Sequence, residues 1–133
     1  FVILASHGVH HFFIEEAGRV RDARRRPITF WGYAVSFRRG HSHVRIEQEE
    51  YRWWKSSLLE KSLKLPPETL AAEFWRLPFE SYAPVRRQML GLWRSVNRRR
   101  RLAGLPTLPV TCIRLRRRIC RPFGPSGAPA ENG

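Results

Sequence analysis

Acidic residues are missing where they would be most needed. Between residues 81 and 130 there is no aspartate or glutamate against twelve arginines. Such a block has no carboxylates of its own to neutralise it, which argues against an ordinary surface of interspersed charge. Lysine is also scarce: 22 of the 25 basic residues are arginine, and only Lys55, Lys61 and Lys64 depart from this. Arginine offers a planar fork that grips phosphate through two hydrogen bonds and stacks on bases, whereas lysine offers a point charge. Cysteine is limited to Cys112 and Cys120, too few for a disulfide framework or a four-thiolate zinc site. The longest apolar stretch, residues 1–14, contains three histidines and falls short of the ~20 residues a membrane-spanning helix needs. There is no HExxH, nucleophile elbow, phosphate-binding loop or dinucleotide fingerprint, and the glycines are isolated. The expectation is therefore a protein without catalytic residues, cofactor or bound metal, and without a small-molecule substrate.

What is present is charge of one sign, arranged in blocks. The net charge is +14 over 133 residues. Residues 19–45 carry +7 and residues 81–130 carry +12, while residues 46–80 sum to −2. A near-neutral waist between two basic blocks implies a folded centre with two anion-facing surfaces. Self-repulsion on this scale favours a polyanionic partner, and nucleic acid is the usual one. The chain length suits one domain. It begins with Phe1 rather than Met, which fits a transit peptide removed on entry into an organelle, or a segment of a longer protein.

Hydrophobic spacing predicts a mainly α fold. Residues 1–17 read as a short apolar element and 18–27 as a basic connector. The aromatic and β-branched run 28–37, ITFWGYAVSF, reads as a strand or an extended packed segment, and Gly40 then breaks the pattern. Ser42 is placed as the cap of a helix over 43–64, with Val44, Tyr51, Trp54, Leu58 and Leu65 on one stripe and Pro66 and Pro67 as its stop. A second helix over 67–77 buries Leu70, Phe74 and Leu77. A third over 82–103, capped by Ser81, carries an apolar seam of Val85, Met89, Leu92 and Val96. The same helix carries an arginine seam of Arg87, Arg94, Arg98 and Arg101. Gly104 and Pro106 then close it. This gives a small three-helix body over residues 1–104 and an extended basic Pro/Gly-rich tail over 105–133 that packs no core.

Sixteen arginines are the candidate phosphate ligands: Arg24, Arg25, Arg26, Arg38, Arg39, Arg87, Arg94, Arg98, Arg99, Arg100, Arg101, Arg114, Arg116, Arg117, Arg118 and Arg121. Of the five tryptophans, Trp54 and Trp75 lie near apolar stripes, while Trp53 and Trp93 are the candidates for a partner-facing surface. His7, His11 and Glu15 have the spacing of metal ligands on one helical face, and His41-x-His43 forms a second group. Without a supporting cysteine pair both read as surface histidines. Glu47, Glu49 and Glu50 read as a solvated helix start.

The layout resembles organellar ribosomal proteins in having a small helical body, an arginine-dominated surface and a basic arm. That resemblance implies a structural constituent of a mitochondrial ribosome in the matrix, bound to rRNA and to neighbouring proteins. The alternative is a peripheral accessory subunit of a mitochondrial respiratory or ATP synthase complex, its arginines meeting acidic subunits or cardiolipin head groups.

Overall fold

A computed structural model describes residues 11–15 and 17–116. The chain forms one helical turn, α1 (His11–Glu15), then strands β1 (Ile28–Phe30), β2 (Tyr33–Arg38) and β3 (His41–Ile46). Helices α2 (Gln48–Lys61), α3 (Pro67–Trp75) and α4 (Ala83–Leu102) follow, and then a 3-10 turn, Val110–Cys112. The mainly α expectation is corrected: a three-stranded antiparallel sheet of order β1-β2-β3 precedes these helices.

Two tight turns build the sheet. Trp31-Gly32 joins β1 to β2 with φ of 46° and 76°, and Arg39-Gly40 joins β2 to β3 with φ of 50° and 78°. Two consecutive left-handed residues make the type I′ geometry whose twist matches paired strands. Gly40 therefore returns the chain and does not end an isolated extended segment. His41–Ile46 pairs with Tyr33–Arg38, Val44 opposite Val35 and Ile46 opposite Tyr33. This moves Val44 out of the helical stripe assigned to it and removes Ser42 from its capping role. The helix starts at Gln48, capped by the Glu47 carboxylate, which accepts from the Glu49 and Glu50 amides at 2.8 and 3.1 Å.

The helices otherwise follow their sequence signals. Pro67 opens α3, where its missing N–H is no loss. Leu70, Phe74, Leu77, Val85, Met89, Leu92 and Val96 are all buried. Tyr82 and not Ser81 holds the cap position of α4; the Ser81 hydroxyl instead donates to the Arg114 carbonyl. At the far end, the Leu105 amide bonds the Arg100 carbonyl at 2.9 Å and the Gly104 amide that of Arg101 at 3.1 Å. With Gly104 at φ 68°, this is a Schellman closure.

Two amide side chains fasten the long helix to its neighbours. Gln88 accepts from the Ile46 amide at 2.7 Å and donates to its carbonyl at 3.1 Å. Asn97 does the same for Leu108, at 2.8 and 2.9 Å. Nine residues apart at ~100° per residue, they lie on opposite flanks of α4. Gln88 thus completes the outer edge of β3, and Asn97 holds the segment after Gly104. That segment is a second correction. Leu108, Cys112 and Ile113 are buried in the core, so the proline-rich stretch 105–115 packs instead of extending as an arm.

Candidate nucleic-acid interface

Helix α4 presents a long basic surface. Its apolar seam turns inward, which forces Arg87, Arg94, Arg98 and Arg101 to the opposite side, all exposed. None of the four makes an ion pair among the described residues. From Arg87 to Arg101 the seam runs ~21 Å at 1.5 Å per residue. Arg86 and Arg99 are also exposed.

Arg100 differs from its neighbours. It is 1% exposed. Its Nε donates to the Pro106 carbonyl at 2.6 Å, and Nη1 donates to the carbonyls of Ser62 at 2.7 Å and Leu65 at 3.0 Å. Ser62 and Leu65 follow the end of α2, where unpaired carbonyls gather and a cation is favoured. The guanidinium ties three chain segments together and is removed from the candidate phosphate ligands. Arg114 is half-buried and donates to the Leu77 carbonyl at 2.6 Å, so it too is committed to the fold. Arg116 is exposed. Arg117, Arg118 and Arg121 lie outside the described residues.

A second basic surface forms at one end of the sheet. The Phe37 amide bonds the Ala23 carbonyl at 3.1 Å, bringing the 22–26 turn beside the Arg39-Gly40 hairpin. Arg24, Arg25, Arg26, Arg38 and Arg39 are all exposed there. Asp22 partly neutralises the group, pairing with Arg24 at 3.0 Å and Arg25 at 3.8 Å. The Arg24 side-chain hydrogen bond holds the Asp22 carboxyl below its usual range. Register adds residues that the candidate ligands did not include. Arg38 lies opposite His41, Ser36 opposite His43 and Ala34 opposite Arg45, so Arg38, His41, His43 and Arg45 share one face. All four are exposed. The signal for them was the alternation H-x-H-x-R over 41–45, which the helix assignment hid.

The other end of the sheet has opposite character. Trp31 is 85% exposed and stacks on Phe30 at 5.3 Å and 6° between planes. A shallow concavity beside it is lined by Thr29, Gly32, Glu47, Glu49 and Glu50. Trp53, 60% exposed, lies one helical turn beyond Glu49. Trp54 packs on the core, its indole donating to Glu50 at 2.8 Å. Trp93, expected to face a partner, is half-buried and donates to the Leu108 carbonyl at 3.1 Å. Trp75, expected to pack on an apolar stripe, is 54% exposed.

His11 lies 3.5 Å from Glu15 with both side chains exposed, and His7 lies outside the described residues. Among the described residues there is no group of three metal-ligating side chains. No helix among them is long and apolar enough to cross a membrane. The Cys112 thiol is buried, which pushes its pKa up. Comparison with protein-family models, with characterised proteins and with solved structures finds no match to this chain.

Proposed function

We propose that the chain is an RNA-binding structural subunit of a mitochondrial ribosome, acting in the matrix by neutralising rRNA phosphates and docking on neighbouring proteins. The observation that carries the reading is the α4 seam: four exposed arginines, without carboxylate partners among the described residues, aligned on a rigid helix. RNA helices are recognised largely through backbone and shape, which suits a row of guanidinium groups and needs no base-reading motif. The basic sheet end supplies a second set of contacts. Holding one face of α4 against a closed core fixes the spacing of these charges before RNA arrives, and so lowers the ordering entropy of binding.

The test is binding of the full chain to a folded rRNA fragment across a salt series. Changing Arg87, Arg94, Arg98 and Arg101 together to Gln is expected to lower the salt slope by about 3, at ~0.7–0.9 for each phosphate no longer neutralised. An unchanged slope overturns α4 as the RNA-facing surface. Ribonuclease treatment of the native particle is expected to release the chain. Retention after ribonuclease with extraction alongside a respiratory or ATP synthase complex in mild detergent overturns the ribosomal reading.

A further inference from the structure

We propose that the Trp31 end of the sheet is a docking surface for an arginine-rich polypeptide segment of a neighbouring protein. This surface is separate from the basic faces and does not depend on the RNA reading.

The argument starts from exposed apolar area. Phe30, Trp31 and Trp53 are 40%, 85% and 60% exposed. Glu49 lines the concavity beside Trp31 and precedes Trp53 by one helical turn. Exposed aromatic area gathered in this way marks protein contact, and tryptophan is enriched where such contacts carry binding energy. Nothing in the core needs Trp31 where it stands. A bulky residue at φ 46° is costly, and the same turn position is met more cheaply by asparagine.

Charge then selects the partner. Glu47, Glu49 and Glu50 line the concavity, in a chain whose net charge is +14. Each carboxylate uses one oxygen internally. Glu47 Oε2 caps α2, Glu49 Oε1 accepts from Arg52 at 2.9 Å, and Glu50 Oε1 accepts from the Trp54 indole. No hydrogen bond among the described residues engages Glu47 Oε1, Glu49 Oε2 or Glu50 Oε2. Phosphate would be repelled here. A guanidinium satisfies both features at once, pairing with a carboxylate while its plane lies on the indole. An extended segment bearing several arginines fits better than one bearing lysines, because an ammonium lacks the flat face.

The experiment follows the tryptophan indole N–H resonances of the full chain by NMR. The probes are a peptide of four arginines alternating with glycine, its lysine counterpart, and a single-stranded uridine oligonucleotide. The Trp31 and Trp53 signals are expected to shift with the arginine peptide and less with the lysine peptide. Trp31→Asn, which suits the turn, and Glu49→Gln, at an exposed site, are each expected to weaken peptide binding about three- to five-fold. Both leave RNA affinity unchanged. Three results would overturn the proposal. One is no shift with the arginine peptide. Another is loss of RNA affinity in Trp31→Asn, which makes the tip a base-stacking site. The last is a shift that grows with protein concentration alone, with a dimer by light scattering.

Discussion

The two hairpins at opposite ends of β2 have the same backbone and contrary chemistry. Trp31-Gly32 and Arg39-Gly40 are both type I′ turns with a bulky first residue held in the left-handed region. One lies beside three glutamates and displays stacked aromatic rings. The other lies beside the 22–26 turn and displays guanidinium and imidazole groups. The same turn geometry thus presents an acidic, aromatic surface at one end and a basic one at the other. What decides between them is which neighbouring segment the tertiary fold brings alongside.

The contrast within the 98–101 run gives the largest expected effect. Arg100→Met strands the buried carbonyl of Ser62 and the part-buried carbonyls of Leu65 and Pro106, and is expected to cost about 3 kcal/mol or more. Arg101→Met, at an exposed site, is expected to change stability by less than about 0.5 kcal/mol while weakening RNA binding. Urea unfolding of the two variants measures the difference. Equal losses would remove the distinction between a structural and a phosphate-facing arginine.

The hairpin glycines come next. Gly32→Ala places a methyl 3.3 Å from Glu50 Cγ and 3.5 Å from Phe79 Cε1, whereas Gly40→Ala meets open space. Both carry the left-handed penalty of roughly 1–2 kcal/mol. Gly32→Ala is expected at or above the top of that range and Gly40→Ala near the bottom, by thermal unfolding. Smaller still, Trp31→Asn and Arg39→Asn are each expected to stabilise by about 0.5 kcal/mol, since asparagine tolerates the left-handed region. Arg39→Asn should also weaken RNA binding. A Trp31→Asn variant that loses stability would show that the exposed ring supports the fold.

The weakest effect lies with groups packed in and against the core. Burial raises the pKa of the Cys112 thiol from its ordinary 9.0 and of the Tyr33 and Tyr51 hydroxyls from 10.0. In the unfolded chain these groups ionise first, so stability is whole below pH 9 and falls as pH rises beyond it. A pH series of melting temperatures measures this decline. A melting temperature flat from pH 8 to 11 would contradict it.

Local signals made the helices legible. Pro67, Gly104 and the seam from Val85 to Val96 each act within a few residues, and the structure keeps them. The sheet was half legible. The run 28–37 has strand character but folds back at Trp31-Gly32 into β1 and β2, a turn the extended reading did not contain, and Val44 and Ile46 suit a strand and a helical stripe equally over so short a span. Pairing with β2 settled the matter, and no spacing rule within 41–46 contains that partner. The α4 seam was legible because opposite faces of a helix follow from periodicity. The roles of Arg100 and Arg114 were not, since both act through carbonyls 6 to 38 residues away.

Charge blocks, helix periodicity and turn-forming glycines are properties of the chain itself, because each depends on residues within one or two turns of one another. The packing of 105–115 against α4, the burial of one arginine in a run of four, and the contrary surfaces at the two hairpins arose only in the tertiary structure. Each depends on a backbone group or a carboxylate that long-range packing alone brings within hydrogen-bonding or Coulombic reach.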